Sequence, residues 1–64
     1  MNPVKEGDIV ESEVMGHGKN GDPILKVKGF TVFVKEATLD VGQYVRVKVT
    51  KCFEKFAFAY LEEQ

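Results

Sequence analysis

Apolar and polar residues alternate along most of this chain, in short runs separated by turn-forming residues. Leu25 and Val27 alternate with Lys26 and Lys28. Val45, Val47 and Val49 alternate with Tyr44, Arg46, Lys48 and Thr50. Ala57, Ala59 and Leu61 alternate with Phe56, Phe58 and Tyr60. Successive side chains of a strand point to opposite faces, so a period of two predicts half-buried strands. No stretch carries a convincing helical period. The pattern predicts five strands, over residues 9–15, 24–28, 30–35, 44–51 and 56–61. The three glycines and the proline of residues 16–23 predict a long turn, and Gly29 a tight break. Residues 36–42 form a connection, and Phe53-Glu54-Lys55 a hairpin turn.

Sixty-four residues make one domain, residues 1–64. A chain this short buries only about 60% of its unfolded surface, so its core is thin. Five short strands in that length predict an all-β fold, a small five-stranded antiparallel barrel of the oligonucleotide-binding or Sm-like kind. Closing the sheet removes its exposed edges. The valines and the small Ala57 and Ala59 suit a tight interior, which turns Phe56 and Phe58 outward.

Charge at first argues against a nucleic-acid partner, because the net charge is -1 and binders of that class are usually strongly basic. Its distribution reverses the argument. Residues 15–60 carry eight cations against four acids, or +4, and the two flanks carry Lys5 against six acids, or -5. If the flanks lie together, the opposite side is positive. A ligand within a Debye length, about 10 Å at 0.1 M salt, responds to that local face.

Catalytic and metal chemistry find little support. Cys52 is the only cysteine and His17 the only histidine, so neither a disulfide nor a metal site is expected, and no cofactor. Ser12, the only serine, is flanked by two glutamates. Cys52 has Lys51 and Lys55 nearby but no evident base, and reads as a packed thiol rather than a nucleophile. Gly16-x-Gly18-x-x-Gly21 has the spacing of a dinucleotide fingerprint. A strand rather than a helix is predicted after it, so the helix amides that cradle phosphate are missing. It reads as a flexible loop whose His17 and Lys19 could touch a ligand. The apolar runs are too short for a membrane span, and Met1-Asn2-Pro3 is unlike a targeting segment. These features predict a cytoplasmic, non-enzymatic monomer.

The positive signal is the interleaving of rings and cations. Lys26, Lys28, Phe30, Phe33 and Lys35 fall in one window, and Arg46, Lys48, Lys51, Phe53, Lys55, Phe56 and Phe58 in another. Aromatic faces stack on bases while cations follow phosphates, the combination that binds single-stranded nucleic acid. Parity places Phe33, Phe56 and Phe58 on the solvent side and Phe53 half exposed in its turn. Phe30 shares the parity of Val32 and Val34 and belongs nearer the core. The alternative is an interaction module that uses the same rings as anchors for a protein. Lysine is depleted at protein interfaces, which weighs against it.

Four blocks of the sequence, in order, resemble the TRAM domain. They are the glycine-rich turn, Gly29-Phe30-Thr31-Val32-Phe33-Val34, Gly42-Gln43-Tyr44-Val45-Arg46-Val47-Lys48-Val49, and Phe56-Ala57-Phe58-Ala59. The family pattern runs G-D-G-I-A, G-F-V-V-F-V-P, G-D-x-V-x-V-x-I, then F-A-F-A, and the likeness spans about residues 7–61. The resemblance implies an oligonucleotide-binding-like barrel that binds RNA. It also implies a stand-alone archaeal-type member acting as an RNA chaperone, similar to cold-shock proteins, or an accessory to tRNA modification. The implied partner is single-stranded or partly structured RNA, tRNA among the candidates. The family's aromatic contacts fall on Phe30, Phe33, Phe56 and Phe58, and its basic contacts near Lys26, Arg46 and the hairpin of Lys51 and Lys55. For Phe30 this conflicts with strand parity. The chain departs from the pattern at Pro23-Ile24-Leu25, at Lys35-Glu36 in place of Pro-Gly, and at Gln43 in place of an acid.

Overall fold

The computed structural model describes residues 2–62; Met1 and Glu63, which entered the terminal reading and the charge count above, lie outside them. Six strands form one sheet: β1 (Ile9–Glu13), β2 (Gly16–His17), β3 (Pro23–Val27), β4 (Phe30–Val34), β5 (Tyr44–Cys52) and β6 (Phe56–Leu61). Their spatial order is β1-β5-β6-β4-β3-β2. The first member lies within the first predicted strand; the last, β2, falls in the glycine-rich segment that the sequence reading took as a turn. Val14 donates its amide to Gln43 O at 2.8 Å, and the next amide, of Met15, donates to Ile24 O at 2.8 Å. Consecutive amides thus serve opposite edges of the sheet. The sixth strand is thus an addition to the five predicted: Gly16 and His17 pair with Ile24 and Pro23 instead of turning, and the change of partner at Val14–Met15 curls the sheet into an oligonucleotide-binding-like barrel.

One pairing departs from the all-antiparallel expectation: β4 and β6 run parallel, with Val32 opposite Ala57 and Val34 opposite Ala59. The reason is topological. β6 is hydrogen-bonded on its other side to β5, antiparallel, and β5 runs against β4. A strand threaded between two opposed neighbours must be parallel to one of them.

The predicted inward set forms the core. Leu25, Val32, Val34, Val45, Val47, Val49, Ala57 and Ala59 are buried, joined by Val14, and by Val4 and Leu39 from outside the strands. Alanine suits β6 because that strand lies between two others whose inward residues are valines. Ala59 faces Val34 on one side and Val49 on the other.

Two turns bring left-handed backbone into play. Lys28 and Gly29 form the two-residue loop between Val27 and Phe30, with φ of 52° and 82°. Positive φ at both positions is what the favoured hairpin turns require. Lys28 therefore lies in a turn rather than in the predicted strand. Glu36 stands where the family pattern has glycine, and it too has a positive φ, of 56°.

Candidate nucleic-acid interface

The outward residues of β3, β4, β6 and β5 fall into rows across the sheet. Lys26 is opposite Thr31, and Thr31 opposite Phe56. In the next row Ile24 meets Phe33, Phe33 meets Phe58, and Phe58 meets Lys51. Beyond it, Tyr60 is opposite Lys48. One face thus carries rings at its centre and cations at its margins.

Lys51 reaches this face only through an irregularity. By simple alternation it shares the parity of Val45, Val47 and Val49 and would point into the barrel. The register shifts between Val49 and Lys51, leaving Thr50 unpaired as a β-bulge. A bulge inserts one residue and reverses the parity beyond it. Lys51 is therefore exposed beside Phe58, and Cys52 turns inward opposite Ala57 to pack against the core.

Phe33, Phe53, Phe56 and Phe58 form a single cluster. Phe53 and Phe56 stack with centroids 4.7 Å apart. Phe33 meets Phe56 at 5.8 Å and Phe58 at 6.4 Å, edge to face. Phe58 also contacts Phe53 at 5.2 Å and Phe56 at 5.6 Å. Parity turns Phe33, Phe56 and Phe58 away from the core and the turn places Phe53 beside them, yet all four are half-buried, where parity predicts exposure for the first three, because they cover one another. Such pairs contribute about 0.5–1.5 kcal/mol each beyond area burial, so the platform is held in shape by its own contacts. Phe30 is not part of it: its ring packs against the core cluster from the inward side, as parity required.

The cations divide in the same way. Lys26 lies on the face and donates to Thr31 Oγ1 at 2.7 Å. Lys35 places Nζ 4.7 Å from the centroid of the Phe58 ring and 2.8 Å from Asp22 Oδ2. Lys48 and Lys51 are exposed on the outward side of β5. Lys55 is exposed in the turn next to Phe53 and Phe56, and Lys28 in the β3–β4 turn. Arg46 is set apart. It pairs across the strands with Glu11 and lies 3.8 Å from that carboxylate, with Glu13 further along β1. The acidic flank sits against β5, on the side away from the rings, and Glu62 returns to it by donating its amide to Arg46 O.

Sequence reading overlooked Tyr60, 40% exposed, which continues the outward parity of Phe56 and Phe58, a signal present in the alternation itself. The glycine-rich loop, read from sequence as a ligand contact through His17 and Lys19, lies between β2 and β3. It is pinched by Gly18 donating to Asp22 O and Gly21 to Gly18 O, and it leans on Phe33. A β-carbon at Gly18 would lie 3.0 Å from Phe33 Cε1, so the close approach depends on glycine. The loop and the rings enclose a pocket of about 180 Å³ lined by Gly18, Lys19, Asn20, Asp22, Phe33, Lys35 and Phe58. His17 turns elsewhere, its Nε2 lying 2.7 Å from Leu39 O. Among the described residues, no group of His, Cys, Asp and Glu is arranged to hold a metal, and no helix is long and apolar enough to cross a membrane.

Comparison with known proteins places this geometry in a family. The family model described as the TRAM domain matches residues 3–61. A conserved protein of Methanococcus maripaludis, known from a solution structure, superposes with a TM-score of 0.85 at 41% identity, covering 98% of this chain and 87% of that one. An uncharacterized protein of Methanocaldococcus jannaschii is 46% identical over 89% of this chain and 71% of its own length. The ribosomal RNA large subunit methyltransferase E of Haloarcula marismortui is 44% identical over 89% of this chain, but the match spans only 21% of that enzyme. The chain thus corresponds to about a fifth of the methyltransferases it resembles. It belongs to the TRAM domain family, a family of RNA-binding modules.

Proposed function

We propose that this protein is a sequence-tolerant RNA chaperone that binds single-stranded or partly structured RNA through the outer face of β4 and β6. The observation that carries this reading is the cluster of Phe33, Phe53, Phe56 and Phe58, with centroid separations of 4.7–6.4 Å, bordered by Lys26, Lys35, Lys48 and Lys51. Unpaired bases stack on the rings, and the lysines neutralise the phosphates between them. Lys28 and Lys55 extend the cationic margin, while Phe30 and Arg46 contribute least because of where they sit. Stacking is worth roughly 1–3 kcal/mol per base and is nearly blind to sequence. A few such contacts give weak, broad binding, which suits a chaperone that must release its RNA. Remodelling is passive: by preferring unpaired strands, the protein shifts local duplexes toward opening. Its role is binding rather than catalysis, carried out in the cytoplasm as a monomer.

Fluorescence anisotropy with a labelled unstructured RNA, titrated at several salt concentrations, tests the reading. For single strands the slope of log affinity against log salt is roughly -0.7 per phosphate neutralised. The expected slope is about -2 to -4, corresponding to the few lysines around the rings. Absence of binding even at low salt would overturn the proposal and return the face to a protein partner. The likeness to part of ribosomal RNA methyltransferases supports a second reading, an RNA-docking module for a modifying enzyme. That role predicts that a folded ribosomal RNA or tRNA fragment outcompetes an unstructured strand; the chaperone role predicts the reverse.

A further inference from the structure

The pocket beside the platform has features that stacking alone does not use. Phe33 and Phe58 supply its apolar wall, and the Gly18–Asp22 loop the opposite side. At its polar end, Lys35 Nζ donates to Asp22 Oδ2 at 2.8 Å, and the two side chains are about a quarter exposed, at 31% and 22%. Lys35 is also steadied by the Phe58 ring beneath its ammonium group. Asp22 Oδ1 accepts no hydrogen bond from the described residues. The dyad therefore offers, in order, an acceptor (Oδ1), an acceptor (Oδ2) and a donor (Nζ).

Only one of the four RNA bases carries the complementary order on its Watson–Crick edge. Guanine presents the N2 amino donor, the N1–H donor and the O6 acceptor. Adenine matches only two of the three groups, N6 donating to Oδ2 and N1 accepting from Nζ, which leaves Oδ1 without a donor. Uracil places its one donor between two carbonyls, and cytosine has acceptors at O2 and N3. Bases other than guanine would leave Asp22 facing a lone pair or lacking a donor, an unfavourable state in a partly desolvated site.

We propose that the pocket formed by Asp22, Lys35, Phe33 and Phe58 is a guanine-selective subsite, in which one unpaired guanine inserts against the rings and pairs its edge with the Asp22–Lys35 dyad. The proposal rests on the RNA-binding reading above and adds to it a base preference at a single position. The remaining ring contacts stay sequence-tolerant. In this subsite Lys35 serves the base edge and leaves the phosphates to Lys26, Lys48 and Lys51: paired with Asp22 it adds no net charge, and selectivity arises at the base edge.

The test uses the full chain and labelled oligouridines of about 12 nucleotides, within the span one such barrel covers, carrying a single central guanosine, adenosine or inosine. Adenosine controls for the stronger stacking of any purine. Inosine lacks only the N2 amino group of guanosine. The guanosine oligomer is expected to bind about fivefold more tightly than the adenosine one, at the low end of base discrimination by a bidentate pair. Inosine should lose most of that advantage. Asp22→Asn replaces one acceptor with a donor and should abolish the guanosine preference; because it also leaves Lys35 uncompensated, all oligomers should bind more tightly, and the ratio of guanosine to adenosine affinity is the readout. Equal affinity for guanosine, adenosine and inosine oligomers, or an intact preference in Asp22→Asn, overturns the subsite alone. If no oligomer binds, the RNA-binding reading itself fails, and the subsite with it.

Discussion

Phe33 and Phe58 are the residues whose removal separates function from folding. Both lie on the outer face, half covered by each other and by Phe56, and neither belongs to the buried set. The double variant Phe33→Ala/Phe58→Ala should weaken RNA binding at least about tenfold, since each lost stacking contact costs roughly 1–3 kcal/mol. Anisotropy measures that loss; the variant also gives up four of the five ring contacts and should melt at a lower temperature, so binding is compared at a temperature where circular dichroism shows the strand signal retained. Leu25→Ala makes the opposite case. Leu25 is fully buried, and a buried leucine truncated to alanine typically costs about 2–5 kcal/mol. Stabilities run to only about 0.05–0.15 kcal/mol per residue, so this variant should be largely unfolded in a thermal melt. Both assignments were legible in the chain, because parity alone separates Leu25 from Phe33. The mutual packing of the rings was not, since Phe53 joins the others across a hairpin whose geometry no local pattern encodes.

At the scale of elements, β5 and the turn after β4 carry the informative departures. The bulge at Thr50 turns Lys51 toward Phe58, while Arg46, earlier on the same strand, faces Glu11 of β1. Lys51→Ala should therefore flatten the salt dependence of RNA binding by about 0.7 in slope, one phosphate contact. Arg46→Ala should leave the slope unchanged; its loss removes only an exposed ion pair, of a kind worth little. A change of slope with Arg46→Ala would show that RNA extends over β5 toward the acidic flank. The turn at Lys35-Glu36 departs from the family pattern, yet it keeps the backbone that glycine would allow, with Glu36 at φ 56°. A non-glycine residue there costs about 1–2 kcal/mol. Glu36→Gly should accordingly raise stability by about 1 kcal/mol, read as a higher urea midpoint at an unchanged m-value.

For the whole molecule, charge is sorted by topology. The acidic flanking segments come together along β1 and the end of β6, both against β5. The cations of the central chain surround the rings on β3, β4 and β6. This is how a protein of net charge -1 presents a face suited to an anionic polymer. The expected consequence is binding that remains salt-sensitive despite the overall negative charge, with association slowing as ionic strength rises. Stopped-flow mixing with labelled RNA at two salt concentrations checks it; an association rate indifferent to salt would mean that the acidic flank cancels the local field.

Local pattern was enough for five of the six strands, the inward set of valines and alanines, the outward set of rings and lysines, and the family. Each of these follows from a period of two along a local segment, or from short motifs in order. Whatever depends on which segments meet came only from the folded chain. Gly16 and His17 form a strand rather than a turn because the backbone changes partner at Val14–Met15 and continues along β3. β6 runs parallel to β4 because it is threaded between opposed neighbours. Lys51 faces outward because a single unpaired residue, Thr50, reverses parity. The Asp22–Lys35 dyad forms because a hairpin loop folds back onto a strand end thirteen residues further along the chain. Alternation specifies which face a side chain takes, but only the curled sheet specifies its neighbours.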